Sequence, residues 1–133
     1  MDHIFDNNQP IYLQIMQRIY AQILRGEYQP GDKLPSVIDG AMHFKVNHNT
    51  IVRVYNEMTR QGITVTRRGE GTFVIEDRQV LEQLHHTMRE ALLNNFYTEM
   101  RRLGYSSYEI LSAITHFVQN ETQVSEMSEE ETP

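Results

Sequence analysis

Within one short stretch, His48, Asn49, Thr50 and Arg53 offer an imidazole, a carboxamide, a hydroxyl and a guanidinium. Such groups hydrogen-bond to flat polar edges and to anions without making or breaking bonds. Further along, Arg67 and Arg68 precede Gly69, Glu70 and Gly71. Arginine's planar fork of donors suits phosphate, and glycine lets a backbone approach closely. Other chemistry is poorly supplied. His85 and His86 are neighbours, and neighbours on a helix do not share a face. His43 and His48 stand five apart with no carboxylate at ligand spacing. Cysteine is absent, which removes disulfides, thiolate metal sites and cysteine nucleophiles together. No Ser/His/Asp pattern, phosphate-binding loop or dinucleotide fingerprint is present, so no enzyme, metal or cofactor is expected.

The elements that must position these groups can be read from spacing. Residues 1–8 are polar and aperiodic, which predicts a flexible N-terminal arm. Asn8 or Gln9 before Pro10 signals a helix start. The apolar stripe Ile11, Tyr12, Ile15, Met16, Ile19, Ile23 then runs to Gly26, a residue suited to a left-handed cap. Gln29-Pro30-Gly31-Asp32 predicts a turn and Lys33-Leu34-Pro35 an extended piece. Ser36 through Asp39 has the shape of a capping box opening a second, short helix. Gly40 inside it costs about 1 kcal/mol relative to alanine. Phe44-Lys45-Val46 forms the turn, and Asn47 caps a third helix from His48 to about Gln61, stopped by Gly62. Its inward face is Ile51, Val54, Tyr55 and Met58.

After Gly62 the period changes from 3.6 to 2. Residues 63–67 and 72–75 read as strands joined by the glycine-rich turn, a two-stranded hairpin. The order helix, helix, turn, helix, hairpin predicts a winged helix-turn-helix over residues 9–76. In that fold the start of the third helix meets the DNA major groove, where an asparagine pairing with adenine contributes about 1–3 kcal/mol of discrimination. Arg67 and Arg68 at the hairpin tip suit a minor groove of negative potential.

Charge is distributed in keeping with this. The 133-residue chain has net charge −6, which alone argues against nucleic acid. Residues 1–75 carry eight Lys/Arg against seven Asp/Glu, whereas residues 76–133 carry four against eleven. Within 45–75 the balance is five basic to two acidic, and a phosphate-binding surface responds to that local value.

The second half reads as helix. Leu81, Leu84, Met88, Leu92, Phe96 and Leu103 follow a three/four spacing ending at Gly104. Ser106 through Glu109 forms a second capping box, with Tyr105 and Ile110 placed as a hydrophobic staple. The helix it opens carries Ile110, Leu111, Ile114, Phe117 and Val118 on one side. A winged helix of this size cannot cover both stripes, so residues 77–120 are expected to form a homodimer through Leu81, Leu84, Met88, Leu92, Phe96, Leu103, Leu111 and Ile114. The acidic 121–133 stretch reads as a disordered tail. The fold class is therefore mainly α with a small β-hairpin, followed by a two-helix dimerisation segment. No apolar run is long enough to span a bilayer and no signal peptide is visible, so the expected location is the cytoplasm.

The stretches Pro10–Ile15, Gly26–Ser36, Val46–Ile51, Val54-Tyr55, Glu57-Met58, Gly62 and Arg67–Val74 together resemble the GntR family of bacterial regulators. The short C-terminal segment resembles its YtrA-like branch, whose members lack a large effector domain. The resemblance implies a dimeric repressor on double-stranded, inverted-repeat operator DNA, with a target near transporter genes. The DNA-binding set is then Ser36, Lys45, His48, Asn49, Thr50, Arg53, Arg67, Arg68, Gly69 and Gly71. One departure stands out. The family opens its second helix with Leu-Pro-Ser-Val-Arg-Glu-Leu-Ala, and this chain has Leu34-Pro35-Ser36-Val37-Ile38-Asp39-Gly40-Ala41, with Ile38 in place of an arginine that commonly touches DNA. Together with the acidic balance, that keeps open a competing reading as a protein-interaction module without specific DNA binding. Two short helices leave little room for a ligand cavity, so the sequence leaves open a small-molecule effector between subunits, one at the joint near Arg78, or none.

Overall fold

The computed structural model describes residues 5–131, with side chains through residue 124. Five helices and one hairpin follow in order: α1 (Ile11–Leu24), α2 (Val37–Phe44), α3 (His48–Arg60), β1 (Thr64–Arg67), β2 (Gly71–Val74), α4 (Arg78–Arg102) and α5 (Ser107–Glu131). The chain divides near His86 into two compact units.

In the first unit the stripe of α1 buries Ile15, Met16, Ile19, Tyr20 and Ile23. Opposite them lie Ile51, Val54, Tyr55 and Met58 of α3, the inward face expected from spacing. Phe44, Leu34, Ile63 and Val74 complete the core. Each such side chain contributes about 1.5–3 kcal/mol by leaving water. Ile11, at 46% exposure, stays outside this core, and Tyr12 is half-buried.

The N-terminal arm departs from expectation. Pro10 itself is the α1 cap residue and no side chain caps the helix. Instead Gln14, buried on α1, reaches back. Its Oε1 accepts from the Asp6 N–H at 2.7 Å, while its Nε2 donates to the carbonyls of Asp6 at 2.6 Å and Gln9 at 2.9 Å. Arg18 lies over the Phe5 ring at 4.5 Å. The flexible arm read over residues 1–8 is thus tied down from Phe5 onward, because a buried amide must find partners and the arm's backbone supplies them. Residues 1–4 lie outside the described residues.

The hairpin pairs β1 with β2 in antiparallel register from Thr64↔Val74 to Arg67↔Gly71. The segment before α2 joins it from the other side. Leu34 N–H donates to the Thr72 carbonyl and Val74 N–H to that of Asp32, both at 2.8 Å. β2 is therefore bonded along both edges.

In the second unit, Ser106 and Glu109 form the expected reciprocal capping box. Ser106 N–H donates to Glu109 Oε1 at 3.0 Å, and Glu109 N–H donates to Ser106 Oγ at 3.2 Å. These bonds hold the Glu109 carboxyl below its ordinary pKa. α5 does not stop near residue 120. It continues to Glu131, so the stretch read as a disordered tail is helical that far; residues 132–133 lie outside the described residues. A capped helix rich in Gln, Glu and Met needs only propagation, which costs far less than nucleation.

Substituting Gln14 by Leu should cost about 1–3 kcal/mol by stranding the arm's partners. Chemical denaturation would show the loss, and hydrogen exchange should show the Asp6 amide becoming unprotected. An unchanged Asp6 exchange rate would refute the clasp.

Candidate nucleic-acid interface

The turn between α2 and α3 rests on three local devices. Ser36 caps α2, its Oγ accepting from the Asp39 N–H at 3.1 Å. Lys45 ends α2 in the left-handed region, at φ 57° and ψ 49°, and it is the sole described non-glycine residue with positive φ. Strain of this kind costs on the order of 1 kcal/mol and persists where surrounding packing requires it. Val46 N–H then donates to the Ala41 carbonyl at 3.0 Å, closing the turn. Asn47 caps α3, its Oδ1 accepting from the Asn49 N–H at 2.8 Å.

The start of α3 is thereby set out in solvent. His48 and Asn49 are exposed and Thr50 is half-buried. The first turn holds no acidic residue, so the positive end of the helix dipole is uncompensated. Arg53, one turn on, does not wave freely: its guanidinium carbon sits 3.7 Å from the centre of the Tyr12 ring. An open groove of about 350 Å³ is lined by Pro10, Ile11, Tyr12, Asn49, Thr50 and Arg53. The fold thus brings the start of α1 beside the polar start of α3. Farther down α3, Glu57 hydrogen-bonds Arg60 and Gln61, which pulls its carboxyl down to about 2. Arg60 is occupied by that pair.

The wing presents a second cationic surface. Arg67 packs over the Phe73 ring at 4.6 Å, and Arg68 is exposed. Gly69 has φ 78° with open space where a side chain would be. Gly71 has φ 127°, and a Cβ there would stand 2.8 Å from Lys33 Cε. Glycine at 71 thus lets Lys33 lie across the wing root. Lys45 is exposed at the turn, and Ile38, in the place of the family's arginine, is 59% exposed.

Two contributors were not singled out from sequence. Tyr12 reads as one more member of an apolar stripe, and Lys33 as part of a short extended piece.

The model of bacterial regulatory proteins of the gntR family matches residues 11–74. The HTH-type transcriptional regulator YhcF of Bacillus subtilis is 44% identical over 119 residues, spanning 90% of this chain and 98% of that protein. The chain belongs to the gntR family of bacterial regulatory proteins. The HTH-type transcriptional repressor YtrA of B. subtilis is 46% identical over 68 residues, 51% of this chain and 52% of YtrA. A GntR family transcriptional regulator from Listeria monocytogenes superposes with a TM-score of 0.80 at 38% identity, covering 84% of this chain and 98% of that one. As a gntR-family member the chain is a DNA-binding transcriptional regulator and not an enzyme. Its winged helix-turn-helix is the arrangement the sequence pattern predicts. Among the described residues no helix is long and apolar enough to cross a membrane.

The Tyr12 ring holds Arg53 in one orientation toward the groove. Tyr12→Leu should weaken DNA binding by about two- to fivefold, the worth of an exposed cation–π pair, and Tyr12→Phe should restore it. Fluorescence titration of labelled duplex checks this; equal affinities for the leucine and phenylalanine variants would contradict it.

Proposed function

We propose that the protein is a repressor that binds inverted-repeat operator DNA as a homodimer. The observation that carries this is the exposed, acid-free start of α3, with His48 and Asn49 outward and Arg53 held beside them by Tyr12. On this reading α3 enters the major groove. His48, Asn49 and Thr50 face base edges, Arg53 and Lys45 meet phosphates, and the Ser36 end of α2 meets the backbone. The wing tip, Arg67-Arg68-Gly69 with Gly71 behind it, reaches the minor groove. Lys33 adds a phosphate contact at the wing root.

The exposure of the second unit supports a dimer. α4 has no buried residue, and Leu92, Leu103 and Leu111 are 69%, 74% and 64% exposed in the single chain. Burying surfaces of this kind against a second copy is the least costly way to remove them from water. Two such units present recognition helices about 34–36 Å apart, one turn of DNA. Repression accords with the YtrA likeness, and a target beside transporter genes with the YtrA-like branch. A protein-binding reading draws on the exposed apolar pair Ile38 and Met42, four apart on α2.

A mobility shift on the intergenic DNA beside its own gene separates the two readings. Specific binding at low salt should weaken steeply as salt rises, with a slope of about −0.9 per phosphate neutralised. Absence of any shift at low ionic strength would sink the DNA-binding role. Leu92→Asp should yield monomers by light scattering and lose affinity for the inverted repeat; a wild-type monomer that binds the repeat tightly would contradict the dimer.

A further inference from the structure

A second feature is a hollow open to solvent on the side of the winged helix. A cavity of about 370 Å³ opens between α1, α2 and the segment leading into α2. That volume falls within the range of small-ligand sites, about 300–1,000 Å³. The groove near Arg78, one of the places left open for an effector, has only about 220 Å³.

The hollow coincides with a departure in the sequence. The family pattern carries leucine where this chain has Gly40, a buried mid-helix position at which glycine weakens a helix. A Cβ there would stand 3.3 Å from Ile51 Cγ2 and 3.5 Å from the Tyr55 hydroxyl. Gly40 forms part of the cavity wall, and a side chain there would press on Ile51 and Tyr55. The cavity floor is apolar, from Ile19, Leu34 and Phe44, and Tyr28 and Tyr55 contribute aromatic rings. The Tyr55 hydroxyl donates to the Pro35 carbonyl at 2.7 Å, and burial keeps it protonated.

Charge specifies the ligand. No Lys or Arg lines the cavity; Asp39 supplies its one carboxylate and His43 its one imidazole, both at the exposed mouth. The Asp39 backbone N–H bonds Ser36, but its carboxylate has no partner among the described residues. A carboxylate beside aromatic rings over an apolar floor is complementary to an ammonium on a compact apolar body.

We propose that this cavity binds a small organic amine, its apolar body against Ile19, Leu34 and Phe44 and its ammonium at Asp39, and that occupancy alters DNA binding. The coupling follows from the walls. Asp39 belongs to α2 and Tyr55 to α3, so a ligand held by both biases the spacing of the two helices that present the recognition surface. The binding stands by itself; the coupling rests on the DNA-binding role.

The test uses the full chain and three probes of one shape: phenethylamine, phenylacetate and 2-phenylethanol, followed by amide chemical shifts. Phenethylamine should bind saturably in the millimolar range, moving the Gly40 and His43 amides, and the other two should bind at least about tenfold more weakly. Asp39→Asn should cost phenethylamine about tenfold. Gly40→Leu, the residue of the family pattern, should crowd Ile51 and Tyr55, displace that wall of the cavity and weaken phenethylamine binding at least about tenfold. Equal binding of all three probes, or no shift at Gly40 and His43, overturns the amine site. Unchanged binding in both variants does the same. The Asp39 variant keeps the test decisive if the Gly40 variant fails to fold. A saturating amine that leaves the Kd for the operator duplex unchanged overturns the coupling alone. A wild-type protein that binds no duplex either with or without amine overturns the DNA-binding role instead.

Discussion

The polar outer face of α3 is fixed because its opposite face is fully consumed by the core. Ile51, Val54 and Met58 are each at 0% exposure, which leaves the helix no freedom to roll. A rotation that hid Asn49 or Arg53 would drag one of these into water, at about 1.5–3 kcal/mol each. The left-handed Lys45 and the Asn47 cap are the local counterpart of that constraint. They let the chain reverse in three residues, so that α2 and α3 can share the core. The polar groups of α3 are outward because the apolar ones are held inward.

The wing obeys the same logic through backbone bonds. β2 is short, and a two-stranded ribbon is marginal in water. Here it is bonded on one edge to β1 and on the other to residues 31–34, so the wing is anchored to the segment that leads into α2. The cations it displays are held by packing: Arg67 over Phe73, and Lys33 across Gly71. Holding long side chains before a partner arrives lowers the ordering cost of association.

The second unit is the inverse case. Its helices are well started, by the Ser106–Glu109 box for α5, yet α4 buries nothing within the chain. Helices with exposed apolar stripes gain most of their stability from what covers them. For this segment, stability depends on what covers the stripes.

Local chemistry determined much of this protein in the sequence alone. The caps Ser36, Asn47 and Ser106, the turn at Pro30-Gly31 and the glycines of the wing each act on residues two to four positions away. Spacing of three and four likewise marked the inward faces of α1 and α3. What the tertiary structure alone decided involves partners distant in sequence: Tyr12 under Arg53, Lys33 across Gly71, and the hollow beside Gly40. The clasp of Gln14 on Asp6 is nearer, but it depends on Gln14 being buried. Composition misjudged the ends for a related reason. Polar residues at 5–8 and acidic ones after 121 carry no core signal of their own, and their order comes from a buried amide in one case and a growing helix in the other. Periodicity states which face must leave water; only the packed chain states what it meets there.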